Sequence, residues 1–274
     1  MYKDLKLVRK DNKNTRKSIQ ISSKVAFSPD RICVIAGPCA VESYDQLLKI
    51  AQFVKSEGAC IFRAGAYKPR TSPYSFQGLG DEGLIMLDQV RRECDIPVVT
   101  EILDIRDLDK IMECSDMIQV GTRNMQNFSL LKELGKVSKP ILLKRGMMAT
   151  IYDFLLAAEY ILSQGNENVI LCERGIRTFE TYTRNTLDIS AFPIIKQLSH
   201  LPIIVDPSHS SGRRELVSPL TLAALVAGAD GVILETHHNP SEALSDGHQA
   251  VPLNDFPRFM QDVKKVAHFL KRYI

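Results

Sequence analysis

The stretch RICVIAGPCAVESYDQLLKIAQFVKSEGACIFRA, residues 31–64, reads as strand, turn, helix and strand. Ile32 to Ala36 is a continuous apolar run, the pattern of a strand buried on both faces, and Gly37-Pro38 stops it. The segment SYDQLLKIAQFVKSEG is amphipathic, with Ser43 and Asp45 where an N-cap belongs and Gly58 where a helix ends. ACIFRA, residues 59–64, is again a buried strand. A strand, a helix and a second strand of this kind imply a parallel sheet with helices packed on it.

The unit recurs. Further apolar runs are PVVTEI (97–102), DMIQVG (116–121), PILLKRG (140–146), NVILCERG (168–175), LPIIVDPS (201–208) and ADGVILET (229–236), with helical stretches such as LVSPLTLAALVAGA between them. Eight strands at intervals of about 20 to 40 residues are what a closed (β/α)8 TIM barrel requires. An open doubly wound sheet is the alternative, but no glycine-rich dinucleotide loop follows the first strand. Residues 31–274 are therefore expected to form one catalytic barrel. Residues 1–30 are expected to supply an N-terminal arm and a short hairpin, SIQISSKVAFSPD, that plugs the barrel's bottom.

The bulk properties agree. The chain has 274 residues, 45% hydrophobic and 24% charged, which is ordinary for a globular protein and leaves material for a large core. The net charge is +3, concentrated in residues 1–17, where seven Lys and Arg face two Asp; elsewhere 28 basic side chains face 30 acidic ones. That arm reads as a solvated tail, and without interleaved aromatics or a recognisable motif no nucleic-acid partner is expected. No apolar run reaches the roughly 18 residues of a membrane span, and the N-terminal residues lack the apolar core of a secretory signal, so no leader is expected. The six cysteines form no CxxC pair, so reduced thiols and a cytoplasmic setting are expected.

A barrel of this kind gathers its chemistry at the C-terminal ends of its strands. Cys39 follows the first strand, Arg63 lies in the second, Glu101 in the third, and Arg123 follows the fourth. Lys144 ends the fifth, Arg174 the sixth, Asp206 and His209 the seventh, and Glu235 the eighth. Charges seldom end buried strands for stability, because an unpaired buried charge is costly. Cys39, His209 and Glu235 become neighbours once the barrel closes, and Asp246 in ALSDGHQA can reach back. A thiol, an imidazole and two carboxylates would accept manganese, iron, cobalt or zinc; the competing reading of Cys39 is a small buried hydrophobe. His237, His238 and His248 are expected to lie outside the set. Arg63, Lys68, Arg70, Arg123, Lys144 and Arg174 are either locally paired or a cage for a small, densely anionic substrate.

At these residues the chain resembles the 3-deoxy-D-arabino-heptulosonate 7-phosphate (DAHP) synthases, in the compact type I-beta subgroup related to octulosonate 8-phosphate synthases. The blocks that carry the resemblance are AGPCAVES, FRAGAYKPRTSPYSFQGLG, QVGTRNMQNF, LLKRGMMAT, LCERGIRTFETYTRNTLDISA, VDPSHSSGRRE and ILETHHNPSEALSDGHQ. The resemblance implies a (β/α)8 barrel that condenses phosphoenolpyruvate with erythrose 4-phosphate and water, releasing phosphate, as the first step of the shikimate pathway. It implies Cys39, His209, Glu235 and Asp246 as ligands of a divalent ion, Mn2+ foremost, with Fe2+, Co2+, Zn2+ or Cd2+ as alternatives. It implies Arg63, Lys68, Arg123, Lys144 and Arg174 as the phosphoenolpyruvate cage, and Lys68, Pro69, Arg70 and Thr71 as the erythrose 4-phosphate segment. Catalytic roles fall to Lys68 and Lys144 as proton carriers, Glu101 as the residue that positions water, and His209.

KPRT, where octulosonate synthases carry an ANR-type sequence, favours the four-carbon aldose over arabinose 5-phosphate. Metal-independent octulosonate synthases have asparagine at the place of Cys39, so the thiol favours metal dependence. His248 stands where the subgroup shows proline, and RGMMATIYDF lacks the usual acidic pair after its threonine, which puts the geometry of those loops in question. Relatives self-associate, so a homodimer or homotetramer is expected. Regulated relatives carry an added domain or inserts, so absence of feedback inhibition is expected. The rivals are an octulosonate 8-phosphate synthase, a metal-dependent hydrolase, and a non-catalytic barrel that binds an anion or RNA.

Overall fold

The computed structural model describes residues 3–10 and 18–274. A two-stranded antiparallel hairpin, β1 (Ile19–Gln20) and β2 (Ala26–Phe27), precedes eight parallel strands. These are β3 (Cys33–Gly37), β4 (Ile61–Arg63), β5 (Val98–Ile102), β6 (Met117–Val120), β7 (Ile141–Lys144), β8 (Val169–Glu173), β9 (Ile203–Val205) and β10 (Gly231–His237). Each pairs with the next, and β10 pairs with both β9 (Val232 with Val205) and β3 (Ile233 with Ile35), so the sheet closes. All eight strands lie within the apolar runs expected of them, with two overhangs of one residue each: β3 continues to Gly37 and β10 to His237. A short β11 (Val251–Pro252) adds to the end of β10.

Helices α1 (Tyr44–Glu57), α2 (Asp81–Cys94), α3 (Leu108–Cys114), α4 (Phe128–Leu134), α5 (Ile151–Leu162), α6 (Ala191–Leu198), α8 (Val217–Val226) and α9 (Phe256–Phe269) follow the eight strands in turn; α7 (Pro207–Ser211) is one turn directly after β9. Ser43 caps α1, accepting from Gln46 N–H, while Asp45 sits in the first turn, where a carboxylate favours the helix dipole. Thr150 and Asp153 form a capping box on α5, so the loop that lacks an acidic pair is closed by local hydrogen bonds.

Strand residues alternate between two cores. Val34, Phe62, Val98, Ile118, Leu143, Leu171, Ile203 and Val232 pack outward under the helices. Ile35, Ile61, Val99, Met117, Leu142, Ile170, Ile204 and Ile233 fill the barrel, and Ile19, Ile21, Val25 and Phe27 of the hairpin close the lower end of this inner core. At the upper end the backbones crowd: a Cβ on Gly37 would stand 2.0 Å from the Arg63 carbonyl oxygen, so only glycine lets β3 end there.

Two expectations are corrected. The arm does not stay in solvent over residues 3–10: Leu5 and Val8 are buried, and the backbone N–H groups of Lys6, Leu7 and Val8 donate to the Glu159 carboxylate at 2.7–3.0 Å. Its remaining residues, 1–2 and 11–17, lie outside the described part. The cysteines are not all reduced either, because Cys33 and Cys60 form a disulfide, with Cα atoms 6.3 Å apart. The pairing of Ile35 with Ile61 sets Cys60 beside the start of β3, a proximity that a sequence separation of 27 conceals. Among the described residues, no helix is long and apolar enough to cross a membrane.

Candidate active site

The inner alternation carries on past the apolar layers. Two residues beyond Ile61 comes Arg63; beyond Val99, Glu101; beyond Met117, Gln119; beyond Leu142, Lys144. Cys172 leads to Arg174, Ile204 to Asp206, and Ile233 to Glu235. Period two thus turns seven polar side chains into the upper end of the barrel.

Five of them, Arg63, Glu101, Gln119, Lys144 and Arg174, line a cavity of about 330 Å3, together with Lys68, Pro69, Arg70, Thr71, Arg123, His209 and Asp246 among the residues expected, and with Ser72, Ser75, Thr122 and Arg184. Seven cationic side chains on this lining face two carboxylates. Cys39 and Glu235 sit beneath it, 3% and 0% exposed.

Local pairing accounts for part of the positive charge. Arg63 Nη1 lies 2.9 Å from Glu235 Oε1, and Lys144 Nζ lies 2.5 Å from Asp206 Oδ2. Lys68 Nζ donates to the Cys39 carbonyl at 2.9 Å. Arg70 donates from Nε to the Phe76 carbonyl and from Nη2 to Ser245 Oγ. Arg174 differs. It is 4% exposed, its Nη1 has no hydrogen-bond partner, and burial pushes its pKa down. A buried guanidinium with an unmet donor calls for an anion.

Three of the four donors expected to hold a metal, Cys39, Glu235 and Asp246, converge at the floor, and His209 adjoins Glu235. The ligand atoms of Cys39, Glu235 and Asp246 lie within 4.8 Å of one another, and Cys39 Sγ is 3.5 Å from Asp246 Oδ2. His209 Nε2 stands 3.3 Å from Glu235 Oε1. Asp206 Oδ2 holds His209 Nδ1 at 2.8 Å, so Nδ1 carries the proton and the Nε2 lone pair points at the Glu235 carboxylate. Burial lowers the His209 pKa against the pull of Asp206 and Glu235, which favours the neutral ring. Burial and the charges of Glu235 and Asp246 push the Cys39 thiol up to about 12. Burial opposes ionisation of Glu235 too, but the charges of Arg63 and Lys68 and the hydrogen bond from Gln249 hold its pKa well below the usual carboxylate range. Two acceptors facing each other, a thiol that ionises only with compensation and a second carboxylate at its side are a donor set that fits a divalent cation.

His237, His238 and His248 lie outside the donor set. His237 is buried behind it, 3.5 Å from Glu42 Oε2; the His238 ring lies tilted against that of His237, centroids 4.6 Å apart; His248 is exposed. The loop with His248 in place of proline still closes, since Gln249 Nε2 reaches Glu235 Oε2 at 2.7 Å.

Several supporting residues escaped the sequence reading. Gln119 Nε2 donates to Glu101 Oε2 at 2.9 Å, and a Cβ on Gly121 would fall 1.9 Å from Glu101 Oε1. Arg145 Nη1 bonds Glu173 Oε2 at 2.7 Å and Asp188 Oδ2 at 3.0 Å, outside the barrel and directly behind Lys144 and Arg174. The signal for that pair was present, because LLKRG and LCERG each place two charged residues before a glycine.

The model of the DAHP synthetase I family matches residues 17–272. A phospho-2-dehydro-3-deoxyheptonate aldolase of Thermotoga maritima is 56% identical over 237 residues, covering 86% of this chain and 70% of its own length. A 2-dehydro-3-deoxyphosphooctonate aldolase of Syntrophobacter fumaroxidans is 32% identical over 260 residues, covering 88% and 89%. The crystal structure of a Thermotoga maritima DAHP synthase superposes with a TM-score of 0.94 at 51% identity, covering 98% of this chain and 78% of that one.

Proposed function

The chain belongs to the DAHP synthetase I family and is a synthase of the transferase type, and we propose that its barrel mouth condenses phosphoenolpyruvate with erythrose 4-phosphate and water. The products are DAHP and phosphate. The observation that supports this reading is the buried Arg174 guanidinium, its Nη1 unpartnered, in a wall of cations above three convergent donor groups, Cys39, Glu235 and Asp246, with His209 beside Glu235.

Arg63, Lys68, Arg123, Lys144 and Arg174 hold phosphoenolpyruvate by its phosphate and carboxylate, and orient C3. Pro69, Arg70 and Thr71, with Lys68, hold the aldose phosphate so that its aldehyde carbon meets that C3. Cys39, His209, Glu235 and Asp246 hold a divalent ion, which supplies Lewis acidity toward the aldehyde when bound. Glu101, fixed by Gln119, orients the water that adds to C2 and takes its proton. Lys144 or Lys68 delivers a proton to the aldehyde oxygen as the new C–C bond forms, and the C2 adduct then collapses with loss of phosphate. Because the cage cations are fixed before reaction, they stabilise charge as it develops without reorganising. By family likeness, the enzyme is proposed to be a cytoplasmic homo-oligomer that contributes to aromatic biosynthesis.

The test is phosphate release from phosphoenolpyruvate, with erythrose 4-phosphate and arabinose 5-phosphate offered separately, before and after chelation and Mn2+ return. Release with the four-carbon aldose, lost on chelation and restored by Mn2+, is the expected result. Release with arabinose 5-phosphate alone refutes the substrate, and full activity after exhaustive chelation refutes the metal.

A further inference from the structure

Behind the four donors lies a second set of hydrogen bonds that the reaction does not use. Glu42 stands three residues after Cys39, His237 two residues after Glu235, and Leu244 two residues before Asp246. Glu42 Oε1 accepts from the Leu244 N–H at 2.9 Å. Its Oε2 lies 3.5 Å from His237 Nε2. The Asn239 N–H donates to His237 Nδ1 at 3.1 Å, so Nε2 is the nitrogen that carries a proton, and the acceptor it faces is the Glu42 carboxylate, since the Gln46 atom 3.1 Å away is an amide nitrogen and itself a donor. Gln46 completes the set: its amide oxygen accepts from the Glu42 N–H at 3.2 Å, and its amide nitrogen donates to the Ala40 carbonyl at 3.4 Å. The side chains of Glu42 and His237 are 13% and 3% exposed, so these bonds work in a medium of low dielectric.

We propose that Glu42 is a positioning residue for the metal site, a carboxylate latch that fixes the loops bearing Cys39 and Asp246 to the end of β10 that bears Glu235. The proposal rests on the metal reading above. Its physical basis is that these three donors come from segments far apart in sequence, two of them on loops. Asp246 itself has a left-handed backbone, φ 52°, on a loop that holds its course only if its neighbours are anchored. Glu42 suits the task because one carboxylate oxygen accepts from the Leu244 N–H while the other faces the buried His237 ring at 3.5 Å, so one side chain touches two different elements. Glutamine keeps the volume and one acceptor but turns an N–H2 toward the proton on His237 Nε2. Outer partners of this kind govern affinity through ligand placement, commonly by about 10- to 100-fold.

The experiment measures Co2+ affinity by chelator competition, together with the thiolate-to-cobalt absorption band, for wild type, Cys39→Ala, Glu42→Gln, Glu42→Ala and His237→Gln, alongside thermal melting of each metal-free protein. Wild type is expected to bind with the band, and Cys39→Ala to lose it. Glu42→Ala is expected to weaken binding by about 10-fold or more with unchanged metal-free melting, and Glu42→Gln to fall between it and wild type. His237→Gln cuts the latch from the β10 side and is expected to weaken binding as well, which keeps the test decisive if Glu42→Ala does not fold. A purely space-filling role predicts Glu42→Gln equal to wild type. Wild type that takes up no Co2+ overturns the metal reading and the latch with it. Wild type that binds, beside Glu42 and His237 variants of unchanged affinity, overturns the latch alone.

Discussion

Replacing Arg145 by methionine tests whether the ion pair behind the cage holds the site together. Arg145 is 4% exposed and Glu173 0%. Their 2.7 Å contact is supplemented by Arg145 Nε donating to the Ala149 carbonyl and by the Gly175 N–H donating to Glu173 Oε1 at 2.6 Å. Burial already pushes the Glu173 pKa up against the pull of Arg145 and that N–H, so its ionised form depends on the guanidinium. Removing one partner of a buried pair costs about 3–5 kcal/mol. The Gly175 N–H remains and Asp188, 19% exposed, is rehydrated, so the lower part of that range, about 3 kcal/mol, is expected for Arg145→Met. Glu173→Gln leaves Arg145 paired with Asp188 and keeps an acceptor for Gly175, so about 1–2 kcal/mol is expected. The double variant Arg145→Met/Glu173→Met removes both charges and should cost less than the sum of the two single methionine variants, by about 2 kcal/mol.

Equilibrium urea unfolding followed by circular dichroism and tyrosine fluorescence reads these values; the chain has eight tyrosines and no tryptophan. Lys144 and Arg174 are the sequence neighbours of the pair, so the same variants should raise the Michaelis constant for phosphoenolpyruvate more than Asp188→Asn does. An Arg145→Met cost below about 1 kcal/mol, or strict additivity in the cycle, refutes the reasoning.

Gly121→Ala places a Cβ 1.9 Å from Glu101 Oε1, so Glu101 must swing off Gln119; if Glu101 orients the water as proposed, a displacement of that size is expected to lower kcat about 100-fold with little change in melting temperature, and normal turnover would show that Glu101 is not needed where it stands. The Arg106 side chain and backbone N–H hold the Asp104 pKa at about 2, against an ordinary 3.8. A depressed carboxylate pKa means the unfolded chain takes up the proton first as pH falls. The stabilisation is therefore present above the ordinary pKa and lost as pH drops toward 2. The melting difference between wild type and Asp104→Asn should shrink over that window, and a gap constant down to pH 2 contradicts it.

Why some of this was legible and some was not follows from which interactions are local. Ile32 to Ala36 and its seven counterparts announce strands because parallel strands buried on both faces need apolar residues at every position. Charged residues at their ends announce a site because nothing else tolerates so many. The disulfide of Cys33 with Cys60, the docking of Leu5 and Val8, and the reach of Glu42 to Leu244 depend on register and on closure of the barrel, which leave no mark in composition or spacing. Gln119 and the pair Arg145–Glu173 are a different matter, since they follow from alternation. Counting by twos from Leu142 puts Lys144 inside and Arg145 outside; counting from Ile170 puts Arg174 inside and Glu173 outside; counting from Met117 puts Gln119 inside beside Glu101. Each of these two adjacent charged pairs therefore divides into one residue that faces the cavity, Lys144 or Arg174, and one that packs into the wall behind it, Arg145 or Glu173.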